Sequence, residues 1–203
     1  MAYSAWILEY FLDTGLSYSH AFVSELSARD QPYRWLFGGA DAVAGVLATA
    51  AAAVMLALRP PRDHWATTGW LGLAVFGIST AADVLLFPLD CAVSQSTECR
   101  VAEDAGRVSL GHQIHTGTSA LAGTGLCTAA VTLSVAVRGK RRLSPLTGPV
   151  GRWLVGGLIV ATVATLVLVP FAYGHGVPQR AQVGLATCWL VAAGLAVRRA
   201  TAR

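Results

Sequence analysis

Charge is what this sequence has least of. Only 13% of its 203 residues are Asp, Glu, Lys or Arg, while 54% are hydrophobic; a soluble domain carries about 25% charged residues. The scarcity is uneven. Residues 36–58 hold one charge, Asp41, residues 65–87 hold one, Asp83, and residues 116–137, 153–173 and 183–197 hold none. A soluble bundle needs one water-facing stripe on each helix, and these blocks lack it. A hydrocarbon core about 30 Å thick takes roughly 20 helical residues at 1.5 Å each. The first four blocks meet that length, and the last is slightly short. Also missing are a second domain, a linker and any low-complexity segment. Residues 1–16 have no basic n-region and no small-residue cleavage site, so a signal peptide is not the reading.

What is present points to an all-α, polytopic integral membrane bundle. Six transmembrane helices are expected, at about residues 1–16, 35–58, 65–87, 110–137, 153–173 and 179–197, forming one transmembrane domain. The first is short and carries Glu9; it reads as the outer half of a spanning helix. Pro170 is expected to kink the fifth. Glycines and alanines at Gly69–Gly72 and Gly117–Gly123 suit close helix approach, because lipid gives helices no apolar drive to associate.

The few charges are sorted by side. Ten of the fifteen basic residues lie in three segments: Arg59 and Arg62; Arg138, Lys140, Arg141, Arg142 and Arg152; Arg198, Arg199 and Arg203. These hold a single acid, Asp63. The alternate segments mix acids and arginines. The positive-inside rule puts the basic set in the cytoplasm, so both termini are expected inside and the 88–110 loop outside the cell membrane. The net charge of +4 is therefore a topogenic signal, and nucleic acid is not an expected partner.

Residues 88–115 are the longest polar run in the chain. They contain Cys91 and Cys99, four acids (Asp90, Glu98, Glu103, Asp104), Arg100, Arg107, His112 and His115. An exposed cysteine pair outside the cytoplasm oxidises, so a Cys91–Cys99 disulfide is expected. A thiolate site completed by the two histidines is the competing reading, with a spacing unlike a zinc knuckle. Cys127 and Cys188, inside spans, read as packing residues.

In order along the chain, SYSHAFVSELSARDQPYRWLF, FPLDCAVSQSTEC, GHQIHTGTSALAG and PQRAQVG resemble the membrane-protein family labelled "domain of unknown function 998". The resemblance covers nearly the whole chain and implies six membrane helices. It implies no established reaction. The chain departs from the pattern at its first helix, which is one to two turns short.

The charge sorting also gathers polar motifs on the outer face. Glu25, Asp83, Asp90, His112 and His115 are the candidate catalytic residues. Asp83 lies one to two turns below Pro88, and an intramembrane carboxylate is a functional candidate by default. Ser24, Asp104, Arg107, Gln179 and Arg180 are candidate substrate-binding residues; the Arg180 fork suits a phosphate, or pairs with Asp83 or Glu25. Arg107 and Asp104 also suit a purely structural pair. His112 and His115 are i,i+3 and share a helix face. With His175 they form a candidate ligand set for a divalent metal such as zinc. A metal-free polar site and purely structural histidines are the alternatives. His20 and His64 read as solvated surface residues. The residue types also resemble the alkaline-ceramidase-like membrane hydrolases, which use a Ser, an Asp and three His around zinc. Ser24, Asp90 or Asp83, His112, His115 and His175 stand in those roles. That family separates its two helix histidines by three residues, whereas two separate them here.

Two functions fit this pattern. One is a hydrolase-like membrane enzyme acting on a lipid or lipid-linked substrate, with Glu25 or Asp104 as base. The other is a non-enzymatic protein that binds, transports or senses a small apolar or lipidic ligand. Beyond the lipid bilayer itself, such a ligand is the expected partner.

Overall fold

The computed structural model describes residues 2–58, 63–138, 144–169 and 174–201. All regular structure among them is helical. The long helices are α1 (Arg34–Leu58), α2 (His64–Leu85), α4 (Leu110–Ala136), α6 (Pro149–Leu168) and α7 (Gly176–Thr201), with α3 (Thr97–Asp104) and α5 (Ser144–Thr147) as short connecting helices. Five of them are long and apolar enough to cross a membrane. Pro170, Arg59, Arg62, Lys140, Arg141, Arg142 and Arg203 lie outside the described residues.

The N-terminal segment differs from the expected helix. Ala2–Phe11 form a 3-10 helix of 10 residues, about 20 Å long at 2 Å per residue and short of a 30 Å core. It packs on α1 and α7. Tyr3 meets Phe76 edge-on at 5.2 Å, and the Thr187 hydroxyl donates to the Tyr3 carbonyl at 3.3 Å. The segment is therefore inserted among the long helices.

The helix starts have local causes. Asp63 accepts the Trp65 N–H, Ser96 the Cys99 N–H and Ser109 the His112 N–H, each satisfying a donor that a helix start leaves orphaned. Pro149 opens α6, where its missing N–H is harmless.

Helix α2 is the centre of the bundle, packed on α1 and α4, while α6 packs on α7. Two glycine pairs set the crossings. A Cβ on Gly45 would come within 2.5 Å of the Gly77 carbonyl, and one on Gly72 within 2.8 Å of the Gly125 carbonyl. Of the two stretches expected to mediate close approach, Gly69–Gly72 faces α4, whereas a Cβ on Gly117 would meet nothing within 4 Å. Small residues permit approach, but helix rotation decides which of them are used.

The outside of the bundle is apolar. Leu47 is 61% exposed, Val160 68% and Leu166 63%. An apolar girdle of this kind is what lipid covers. Trp35 at the start of α1, with the Arg34 guanidinium 4.1 Å over its ring, and Trp153 near the start of α6 are each 78% exposed. Tryptophans at the ends of apolar helices are the residues from which aromatic belts are built.

Candidate functional site

Three polar segments meet at one end of the bundle and form a cap. The first contains a short 3-10 turn, Val23–Ser27; the second follows α2; the third precedes α7. Backbone and side chain bind them together. The Arg29 N–H donates to the Leu89 carbonyl at 2.9 Å, and the Gly176 N–H to the Ser19 carbonyl at 3.0 Å. The Ala92 N–H donates to Asp30 at 3.0 Å, and the Val23 N–H to Gln179 Oε1 at 2.6 Å. Cys91 and Cys99 sit in disulfide geometry with Cα atoms 6.1 Å apart, clasping the loop to the start of α3.

Most of the candidate acids are engaged in building this cap. Glu25 is buried and accepts both the N–H and the hydroxyl of Ser94. Burial pushes its carboxyl above the ordinary range, against the opposing pull of those Ser94 bonds and of the Phe22 backbone; Asp30 adds to the rise. Asp90 accepts the Ser109 N–H at 2.6 Å, the Ser109 hydroxyl at 2.9 Å and Arg29 Nη1 at 3.0 Å. Partial burial raises its pKa, but Ser109, Arg29 and His112 together outweigh this and hold it below the usual carboxylate range. Asp104 and Arg107 are exposed on the rim.

The two histidines of α4 share a side of the helix but do not converge. His112 is 1% exposed, and its Nδ1 accepts the Asp90 N–H at 3.0 Å. The Nδ1 lone pair is therefore occupied, and Nε2 carries the proton in the neutral ring, 3.6 Å from Glu103. His115 takes the opposite tautomer. Its Nδ1 lies 2.8 Å from the Phe87 carbonyl, which can only accept, so the N–H is on Nδ1 and, in the neutral ring, the lone pair is on Nε2. His175 is elsewhere, stacked on Phe22 with ring centroids 4.1 Å apart. Burial, then the charges of His20 and Arg180, hold its pKa below the usual value. His20 is not a free surface residue: its Nδ1 accepts the Gly174 N–H at 3.3 Å. His64 is exposed beside Asp63. Among the described residues no three His, Cys, Asp or Glu side chains are grouped to hold a metal ion. The expected set of His112, His115 and His175 is thus not brought together: the segment after α2 holds His112 and His115 at two different points, Asp90 and Phe87, and His175 is stacked on Phe22.

Arg180 is paired with neither Asp83 nor Glu25. Its partner is Glu9, which is 0% exposed: Nε donates to Oε1 and Nη2 to Oε2, both at 2.7 Å. Nη1 also donates to the Ala21 carbonyl at 2.8 Å. A guanidinium held in this fork has little left to offer a phosphate. Glu9 was visible in the sequence only as a charge interrupting an apolar stretch.

Beneath the cap lies a cavity of about 120 Å³, bounded by α1, α2, α4, α7 and the N-terminal 3-10 helix. Asp41, Asp83, His115, Ser119 and Gln182 line it, with Tyr3 and Trp6 as aromatic wall and Ser24 and Gln179 toward the cap. Asp83 accepts the hydroxyls of Thr118 and Ser119 and lies 3.7 Å from His115 Nδ1. In a Ser-His-Asp triad the serine bonds the imidazole, which in turn bonds the carboxylate; here Ser119 bonds the carboxylate directly. Asp41 is the residue that sequence reasoning passed over. The rule that singled out Asp83, a carboxylate within a span, applies to it equally. Only the fold shows that both face one cavity.

No curated protein and no solved structure matches this chain. A family model described as "Protein of unknown function (DUF998)" matches residues 1–196. The chain, a bundle of apolar membrane-type helices under a polar cap, belongs to that family.

Proposed function

We propose that this protein is a non-enzymatic membrane protein that binds a small ligand in the cavity beneath its cap, as a carrier or sensor. The observation that carries this reading is the set of polar groups lining that cavity at membrane depth. Asp41 is seven residues into α1, about 10 Å below its start. Polar groups buried in a bilayer are costly unless they serve one another or a ligand. The enzymatic alternative has less support. Of its five candidate catalytic residues, Glu25, Asp90 and His112 are engaged in holding the cap together, and only Asp83 and His115 line the cavity.

The test is a thermal-stability screen of the purified protein with water-soluble fragments of up to about six heavy atoms, sized to the cavity. A Gly123→Leu variant is the control. Gly123 lines the cavity, and a Cβ there meets only Gln182 Nε2, at 3.8 Å, so leucine fills the space. Some fragments are expected to raise the melting temperature of the unmodified protein and not of the variant. No hit, or equal shifts in both, would sink the binding reading.

The proposed topology has six membrane segments. Five cross by their own length. The N-terminal 3-10 helix occupies the outer half of a sixth, its start directed toward the cytoplasm. Both termini are then inside, with the 88–110 loop outside and its Cys91–Cys99 pair oxidised. The excess of basic residues in alternate connecting segments supports this orientation. In intact cells, a cysteine replacing Glu98 is expected to react with an impermeant maleimide and one replacing Lys140 is not; the reverse result overturns the orientation.

A further inference from the structure

We infer that the cavity selects a small organic cation bearing N–H donors, a primary ammonium compound, with Asp41 as its counter-charge. The inference rests on the binding reading above and adds the chemical class of the ligand.

The charges facing the cavity are mismatched in a specific direction. It is lined by two aspartates and by no lysine or arginine. Asp83 is served by two hydroxyls, but Asp41 has no hydrogen-bond or salt-bridge partner among the described residues. His115 is 4% exposed, and its Nε2 is buried without a partner. The Phe87 carbonyl places a proton on Nδ1, so that in the neutral ring Nε2 carries a lone pair. Gln182 donates its amide to Thr162 at 3.0 Å, leaving its carbonyl oxygen unused.

Three acceptors thus await donors: a carboxylate, an imidazole nitrogen and an amide oxygen. An anion would be repelled, and a ligand without N–H or O–H groups would leave all three unserved. An ammonium group supplies three N–H donors and the missing positive charge. Tyr3 and Trp6 add aromatic surface that attracts cations. The wall carries donors as well: the Trp6 indole N–H is buried without a partner, and Tyr3, Thr80 and Gln179 also line the space, so the ligand can carry an oxygen beside its ammonium group. Size sets a bound. A cavity of about 120 Å³ is slightly smaller than the roughly 150 Å³ space that holds benzene. Among the described residues no three His, Cys, Asp or Glu side chains are grouped to hold a metal ion, which favours an organic cation over a bare ion.

The experiment compares four probes on the purified full chain at matched ionic strength: propylammonium, 1-propanol, tetramethylammonium and sodium. Propylammonium is expected to raise the melting temperature saturably, and the other three are not. Asp41→Asn, which keeps the shape and removes the charge, is expected to weaken propylammonium roughly tenfold or more, as the loss of a hydrogen bond to a charged group does. An equal response to 1-propanol overturns the charge assignment while leaving a ligand-binding cavity in place. Equal response to tetramethylammonium overturns the need for N–H donors, and equal response to sodium assigns the site to an inorganic ion. If Asp41→Asn does not fold, the comparison among the four probes on the unmodified chain still decides. Failure of every fragment, charged or neutral, removes the cavity reading along with this one.

Discussion

Replacing Glu9 with Ala, or Arg180 with Ala, is expected to destabilise the protein by about 3–5 kcal/mol, the usual result of stranding one member of a buried ion pair. The pair is 0% and 5% exposed at its side chains, and both guanidinium contacts are 2.7 Å. Loss of Glu9 leaves a guanidinium among apolar helices. Loss of Arg180 strands the carboxylate and removes a donor from the Ala21 and Gly176 carbonyls. Arg180→Lys should recover little, because an ammonium cannot reproduce the fork. The double variant Glu9→Leu, Arg180→Met is expected to be less damaged than either single variant, since it leaves no buried charge unpaired. Unfolding midpoints of the four variants and the unmodified chain in mixed micelles provide the check. Single variants within about 0.5 kcal/mol of the unmodified chain, the range of an unimportant surface change, would show that the pair does not anchor the N-terminal segment. Its position explains why the effect should be large. The pair joins residues 171 apart in sequence and ties the N-terminal 3-10 helix to α7.

Gly77→Leu is expected to be comparably severe, at about 3 kcal/mol or more, beyond ordinary overpacking. A Cβ at Gly77 would lie 2.5 Å from the Gly45 carbonyl oxygen and 2.7 Å from the Thr49 backbone nitrogen. Backbone cannot rotate away as a side chain can, so α1 must move as a unit. Asp41 lies one turn before Gly45, so the same variant is expected to abolish propylammonium binding if any of it remains folded. Gly117→Leu, with nothing within 4 Å of its Cβ, is the matched control and should fall within about 0.5 kcal/mol of the unmodified chain. Equal behaviour of the two variants in the same unfolding assay would show that the α1–α2 crossing does not depend on glycine.

Both expectations concern contacts between segments remote in sequence, which marks the boundary of what a linear reading of this protein supplies. Its membrane character and helical class were legible from residues 36–58, 116–137 and 153–173 alone, and its family and the segregation of its charge from the segments between such blocks. Hydropathy is a sum over a window, and a bilayer reads that sum without regard to partners. The polar cap was legible for a similar reason, because alternate connections between antiparallel spans fall at one end. Partner choice is of another kind. Arg180 was a visible charge in search of an acid, but choosing Glu9 over Glu25 or Asp83 requires the placement of a segment at the other end of the chain. His112 and His115 share a side of α4 by spacing, yet i,i+3 positions differ by about 60° around a helix. That angle is enough to send one ring to Asp90 in the cap and the other to the cavity. Asp41 and Asp83 each stood alone in an apolar block, and only the rotation of α1 against α2, set by Gly45 meeting Gly77, brings them to a common space. The sequence by itself determined that these charges lie in or near a membrane, because burial energy is local and additive. Which charges neutralise one another and which face an open cavity was decided by tertiary structure, because pairing depends on helix rotation and distance that no window of residues contains.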